Sequence, residues 1–349
     1  MSVLEQLKIQ HAMNQVSNDP FKGLLSMEVT EEIVKNIADA KFAWRRLIPE
    51  GHMIAICSKA NGGKTTLMVH IAGDMAKDGY RVIYINADAS ASDIKEYKHH
   101  AMEYGYTLIN PDLTNGTADK VIEELRFAST SQSDCSKVVI VLDTLKKFGD
   151  MMNKAKSKHF NSLLRTLTAK GITVICLAHT NKHDDKDGKP IFEGTGDLRN
   201  DFDELIYLIP IRNPDGTTTV STLKDKTRAD IRDESFVITA DREVKLLEHH
   251  IDTLAISEWQ KNLADDEPVI KFILQHISPI SKTATELRTI AINTNVKYSR
   301  NRLESVLKRY SAGNSPDPKW SAIPASTIGF KYGVIDLKYA ETLRKEWHL

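Results

Sequence analysis

Cysteine is scarce in this chain. Three residues in 349 (Cys57, Cys135 and Cys176) are an odd number, and they exclude a disulfide framework. Cys57 and Cys176 fall in strand-like runs, and all three read as buried reduced thiols of a cytoplasmic protein. Long apolar runs are missing as well. Residues 138–142 and 172–178 have the length of strands, far short of the roughly 20 residues that a membrane-crossing helix needs. The opening MSVLEQLKIQ has neither the basic stretch nor the apolar core of a secretory signal. There is no internal repeat and no low-complexity tract. Net charge is also absent, with 47 Lys and Arg against 47 Asp and Glu. Uniform neutrality would argue against a nucleic-acid partner, so the distribution of that charge matters. What remains is an ordinary globular composition, 41% hydrophobic and 27% charged, with length for about two domains.

The charge is not evenly spread. From Pro268 onward 13 basic residues face 6 acidic ones, a net of +7 that leaves −7 on residues 1–267. Such asymmetry is a sign of a nucleic-acid-facing module. The acidic run Asp265-Asp266-Glu267 before Pro268 marks the expected boundary. It divides the chain into a helical segment (1–45), an α/β body (46–250), a linker (251–267) and a basic module (268–349). In the first segment, residues 29–42 place Ile33, Ile37 and Ala40 on one helical face. In the body, MIAIC, VIYIN, VVIVLD, TVICLAH and ELIYLI read as buried strands. Residues 67–78, 91–104, 117–128 and 158–170 read as helices between them. That alternation predicts an α/β fold, a mostly parallel sheet with flanking helices. TTTVSTLKDK and SFVITA predict further antiparallel strands at one edge.

The strand MIAIC runs into Ser58-Lys59-Ala60-Asn61-Gly62-Gly63-Lys64-Thr65-Thr66 and then a helix. This is the Walker A pattern, with Ser58 where the first glycine usually sits. Its glycines let backbone N–H groups curl around phosphates at a helix N-terminus. Lys64 supplies a point charge and Thr65 a hydroxyl for Mg²⁺. ATP and Mg²⁺ are therefore the expected ligands. Asp143, ending VVIVLD, fits the carboxylate that holds the metal, so Thr65 and Asp143 are the metal candidates. The next residue is Thr144 rather than Glu, so a water-activating carboxylate must come from another strand. Asp88, after VIYIN, is the candidate, with a helix cap as its alternative. His179, after TVICLA, is placed to hydrogen-bond a γ-phosphate. His179 and His183 lie beyond a strand and do not suggest zinc. The pairs His99-His100 and His249-His250 read as solvated surface.

The order of these motifs resembles the RecA-like ATPases, and among them the DnaB-like and RepA-like hexameric helicases. Beyond the two phosphate-site motifs, the resemblance rests on Thr195-Gly196-Asp197-Leu198-Arg199-Asn200-Asp201-Phe202-Asp203, on Lys226-Thr227-Arg228 and on the run His179-Thr180-Asn181-Lys182. It implies a ring, expected to be hexameric, in which Lys226 and Arg228 enter the neighbouring subunit's ATP site. It also implies that residues 182–200, with Lys182, Lys186, Lys189 and Arg199, contact single-stranded DNA. The short stretch before the body does not match the domain through which DnaB-type helicases dock primase, so primase binding is not expected.

Residues 268–349 read as a winged helix. Helices are expected over 269–276, 285–293 and 299–310, and a wing hairpin over 319–336. The third helix and its approach offer Lys297, Arg300, Arg302, Lys308 and Arg309 to duplex DNA, with Tyr298 and Asn301 beside them. Tyr310, Trp320, Phe330 and Tyr332 read as packing residues. The sequence thus points to an ATP-driven DNA helicase serving replication of a plasmid, phage or mobile element. Two alternatives stay open. One is a non-translocating ATP switch that recruits partner proteins in recombination, transposition or repair. The other is an ATP-controlled DNA-binding regulator.

Overall fold

The computed structural model describes residues 20–36, 41–130, 135–149, 154–186, 188–278, 280–315, 317–325 and 329–336. Among the described residues two short helices, α1 (Lys22–Leu25) and α2 (Glu31–Asn36), come first. The helix expected over 29–42 is therefore shorter; Ile37 and Ala40 lie outside the described residues. By Phe42 the chain is already extended. β1 (Phe42–Trp44) pairs antiparallel with β2 (Ile48–Pro49), and Ala43, Trp44, Leu47 and Ile48 are buried in the main core. The body thus begins a few residues before the expected limit of 45, because these apolar side chains pack under the sheet.

The body continues through β3 (Met53–Ser58), α3 (Lys64–Lys77), β4 (Arg81–Asn86), α4 (Ala91–Tyr104) and β5 (Thr107–Ile109). Next come α5 (Ala118–Thr130), β6 (Val138–Asp143), α6 (Lys154–Thr168), β7 (Thr173–His179) and α7 (Gly196–Asp201). β8 (Glu204–Arg212), β9 (Thr218–Lys226), β10 (Ser235–Ile238) and β11 (Val244–Leu246) complete it. The sheet has nine strands in the order β11-β10-β9-β8-β3-β7-β6-β4-β5. From β8 to β5 all pairings are parallel, and β9, β10 and β11 are antiparallel additions.

Successive strand residues point to opposite faces, so a strand buried on both sides reads as a continuous apolar run. Ile54, Ile56, Tyr84, Val139, Val141, Ile175 and Leu177 pack with Leu67, Met68, Ile71 and Met75 of α3. Residues of the other parity, such as Ala55, Ile140, Leu142, Val174 and Cys176, are equally buried. They face the side of α6, whose Leu164 and Leu167 are fully buried. Helices therefore flank the sheet on both faces. The topology sets the C-terminal ends of β3, β7, β6 and β4 side by side, and that is where the phosphate-site motifs lie.

A second compact unit begins at Asp252. It holds α8 (Thr253–His276), β12 (Lys282–Thr283), α9 (Ala284–Asn293), α10 (Arg300–Arg309), β13 (Ser321–Pro324) and β14 (Phe330–Gly333). The strands form an antiparallel sheet in the order β12-β14-β13. Leu287, Leu303, Val306, Leu307, Tyr310 and Trp320 make its core; Phe330, expected to pack, is 50% exposed. Thr283 and Glu286 form a reciprocal capping box on α9, and Ser299 caps α10.

The linker expected over 251–267 is instead the first half of α8. Proline and an acidic run usually mark an edge, yet here they lie mid-helix because the acidic run is an anchor. Asp266 is fully buried. Arg302 approaches it at 2.6 Å, Arg309 pairs with its other oxygen, and the Tyr310 hydroxyl donates to it at 3.2 Å. With its boundary at Asp252 the unit carries 14 basic and 11 acidic residues, a net of +3 rather than +7. Breaking a buried pair from one side strands the other charge. Asp266→Ala should destabilise this unit by about 3 kcal/mol, read as faster amide hydrogen exchange along α10 in the full chain. A linker residue would leave that exchange unchanged.

Candidate nucleotide-binding site

The phosphate loop turns sharply between β3 and α3. Gly63 has φ +81° and Asn61 φ +59°, left-handed values that glycine and asparagine tolerate best. Ser58 ends β3, buried, with its hydroxyl donating to the Lys59 carbonyl at 3.2 Å. A Cβ on Gly62 would land on that hydroxyl. The serine at the first-glycine position is thus accommodated by the glycine four residues on. The Lys64 ammonium donates to the carbonyls of Ser58 (3.1 Å) and Lys59 (3.2 Å) and lies 3.5 Å from His179 Nδ1. Burial lowers the Lys64 pKa, with the Asp143 charge opposing it. Burial, with the cations of Lys64 and Lys146, also lowers that of His179, so its ring stays neutral at pH 7.

Asp143 is the polar centre of the site. Its Oδ2 accepts from the Thr65 hydroxyl (2.9 Å), the Tyr84 hydroxyl (2.9 Å) and Asn86 Nδ2 (3.0 Å). Burial pushes its carboxyl up to about 6, and the hydrogen bonds from Thr65 and Tyr84 and the Lys64 charge hold it from rising further. Tyr84 and Asn86 were not foreseen in sequence. The signal was available: they are two polar residues at period two within an apolar strand, and β4 pairs Asn86 with Asp143 directly. Asn86 Oδ1 also accepts from the backbone N–H groups of Asp88 (3.1 Å) and Ala89 (2.9 Å), which shapes the turn.

Asp88 lies in that turn, exposed, with its carboxylate 3.3 Å from Lys147 Nζ. It is not the helix cap: Ser90 caps α4 by accepting from the Asp93 N–H. The loop residues Ala60–Thr66 line a cavity of about 490 Å³ together with Asn86, Asp88, Asp143, Thr144 and His179. Its other wall is Tyr97, Thr218, Ile238 and Arg242, also unforeseen, because α4 and the β10–β11 turn meet there only after folding. Arg242 pairs with Asp93 (3.0 Å) and Glu96 (3.1 Å) of α4. Lys59 does not line the cavity and pairs with Asp184 at 2.8 Å.

Lys226 and Arg228 are not in this cavity. β9 runs antiparallel to β8, and Lys226 stands opposite Leu205, beside the beginning of β3. The Lys226 ammonium donates to the carbonyls of Asn200 and Phe202, and burial lowers its pKa. Arg228 pairs with Asp203 at 2.6 Å, and Asp203 also takes Arg165 and the Met53 N–H. From Met53 to Ser58 is about 17 Å of strand. Residues 182–200, expected to contact single-stranded DNA, follow a pair of backbone hydrogen bonds of hairpin type: the Glu193 N–H donates to the His179 carbonyl (3.0 Å) and the Asn181 N–H to that of Ile191 (2.8 Å). They end in α7, capped by Thr195. Lys182 and Lys189 are exposed there, whereas Arg199 is paired with Asp225 (Nε to Oδ2 3.1 Å). Of the histidines read as surface, His100 is half-buried and stacked on Tyr104 at 4.2 Å, and His250 Nδ1 meets the Ser235 hydroxyl at 3.2 Å. In the second unit Lys297, Arg300 and Lys308 are exposed, Arg300 pairing with Glu304, while Arg302 and Arg309 are occupied by Asp266. Among the described residues no cluster of three His, Cys, Asp or Glu side chains suits a metal, and no helix is long and apolar enough to cross a membrane.

No family model matches the chain, and no curated protein matches it. Among solved structures, it resembles the flagellar accessory protein FlaH of Methanocaldococcus jannaschii at 15% identity and a TM-score of 0.41, over 58% of this chain and 92% of that one. A KaiC-like protein of Pyrococcus horikoshii aligns at 14% identity and a TM-score of 0.41, over 57% and 90%. The likeness is partial, and the assignment of the site rests on its own geometry. Gly62→Ala should weaken nucleotide binding by about tenfold or more through the Ser58 clash, of order 1–3 kcal/mol of overpacking. Adding Ser58→Gly should restore most of it, measured by titration with a fluorescent ATP analogue.

Proposed function

We propose that the chain is an ATP-hydrolysing subunit of a RecA-like ring that acts on single-stranded DNA, as DNA helicases do. The observation that carries the ATPase is the convergence of Lys64, Thr65 and Asp143, from two strands separated by β7, at one end of one cavity. A hydroxyl and a carboxylate 2.9 Å apart beside a lysine suit a hard cation such as Mg²⁺. Thr65 and Asp143 would hold it, and it would supply charge neutralisation on the phosphate oxygens. Lys64 exchanges its two loop carbonyls for phosphate oxygens. His179, neutral and beside Lys64, contacts the γ-phosphate. Asp88 accepts the proton of the water that attacks the γ-phosphorus, as the bond to the bridging oxygen breaks and ADP leaves.

The ring is supported by the placement of Lys226 and Arg228. A cation at the far end of β3 cannot serve its own chain's ATP, so these two act, if on ATP, on a neighbour's. The hairpin carrying Lys182 and Lys189 supports contact with a single-stranded backbone. The second unit's order of helix, strand, two helices and a strand hairpin supports a winged helix. Its third helix presents Arg300, Asn301 and Lys308, with Lys297 ahead of it. Recruitment of replication or recombination proteins belongs to the same reading. The runner-up is a slow ATP switch, favoured by one observation: Asp88 is held by Lys147.

A motor should show ATPase activity stimulated by single strands and displacement of a strand from a forked duplex; stimulation without displacement would favour the switch. Lys64→Ala should abolish hydrolysis. Arg228→Ala should lower it about 10³-fold, as loss of an arginine supplied in trans does, without preventing assembly. Mixing these two inactive variants should restore activity at interfaces that pair an intact loop with an intact arginine. Absence of rescue would overturn the trans role.

A further inference from the structure

A second cavity, of about 700 Å³, lies on the other side of the turn that follows Asp143. Asp119 and Arg126 of α5, Lys146, Lys147 and Phe148 of the turn, and His159 of α6 line it. Three permanent cations and a histidine thus face one carboxylate. Among the described residues Lys147 alone of these cations is ion-paired, and its partner is Asp88. Asp88 lines the nucleotide cavity and Lys147 the second one, so this ion pair joins a residue of one cavity to a residue of the other. The two sites are close in charge as well, since Lys146 bears on both Lys64 and His179. The turn Leu145–Lys147 is firmly seated, with Leu145 and Phe148 buried on either side of the two lysines. The backbone under Lys146 and Lys147 is thereby fixed relative to Asp143, while their side chains stay exposed and free to change partners.

We propose that this cavity binds phosphate oxyanions, and that a phosphate entering it draws Lys147 away from Asp88 and so turns hydrolysis on. The inference rests on the reading of Asp88 as the carboxylate that activates water. With Lys147 3.3 Å from it, the Asp88 oxygen that faces the ammonium is occupied and is not open to the attacking water. The pair is half-exposed on both sides, and such pairs are weak. A chain whose successive phosphates lie on Arg126 and Lys146 brings several negative charges against the one of Asp88 and competes for Lys147 on favourable terms. The ligand class is a phosphodiester chain such as single-stranded DNA, whose backbone offers the same oxyanions as inorganic polyphosphate.

The test compares ATP hydrolysis by the full-length wild type, Lys147→Ala and Lys147→Arg, each alone and with an oligothymidylate, inorganic polyphosphate or inorganic phosphate. Wild type and Lys147→Arg should be slow alone and accelerate roughly fivefold with polyanion, the factor an exposed ion pair is worth. Lys147→Ala should hydrolyse at the accelerated rate without any addition and respond to none. Acceleration by polyphosphate as well as oligothymidylate identifies the phosphate chemistry as sufficient; acceleration by the oligonucleotide alone identifies nucleic acid as the source. Lys147→Ala with the wild-type basal rate and response, or without activity while still binding ATP, overturns the coupling. Asp88→Asn separates the two layers. If it still hydrolyses ATP, the reading of Asp88 itself falls; if it is inactive while Lys147→Ala behaves as wild type, only the coupling falls.

Discussion

The Thr65–Asp143 hydrogen bond joins the two halves of the site, and the fold around it is arranged to make it possible. Thr65 begins a helix, Asp143 ends a strand, and β7 separates that strand from the one feeding the helix. A carboxylate buried at a sheet's end needs donors, and Tyr84 and Asn86 of the adjacent strand provide two. Without them the burial that raises Asp143's pKa would favour its neutral form, a poor ligand for a cation. The carboxylate, its donors and the parallel register of β4, β6 and β7 are therefore one constraint seen at three scales.

Charge is handled the same way at the far end of the sheet and in the second unit. Asp203 is buried and shared by Arg165 and Arg228. Asp266 is buried and shared by Arg302 and Arg309. In each case a carboxylate without access to water gathers two guanidinium groups from other elements, since one would leave acceptor sites unfilled. The Asp266 cluster consumes two cations, Arg302 and Arg309, that read in a linear sequence as available for DNA. Counted from Asp252, the second unit's excess falls from +7 to +3 because the acidic first half of α8 belongs to it.

The phosphate loop, the five buried strands, the antiparallel strands β9 and β10, and the second unit's α9, α10 and strand hairpin were legible in sequence. Each has a local cause: glycine spacing, apolar runs of strand length, or a serine or threonine before a helix. Asp88 and His179 were legible through their place after strands, and both line the cavity. Misreadings arose where a local signal met a distant partner. Asp266 and Pro268 resemble a boundary until Arg302 and Arg309 fold against them. Phe330 resembles a core residue, yet it faces outward on a strand whose next-but-one neighbour, Tyr332, is buried. Lys147 and Arg242 carry no motif at all.

Covalent sequence thus dictates which backbone can wrap a phosphate and which segments must be buried, because turn geometry and apolar periodicity act over a few residues. Which carboxylates are free and which are held was decided only in the fold. Pairing between Asp88 and Lys147, or between Asp266 and arginines some 40 residues away, depends on Coulomb forces and desolvation, which follow distance in space rather than distance along the chain. The three cysteines that suggested so little form no disulfide; Cys57 and Cys176 are buried in β3 and β7, two strands that carry the phosphate loop and His179, while Cys135 is half-buried rather than buried as expected.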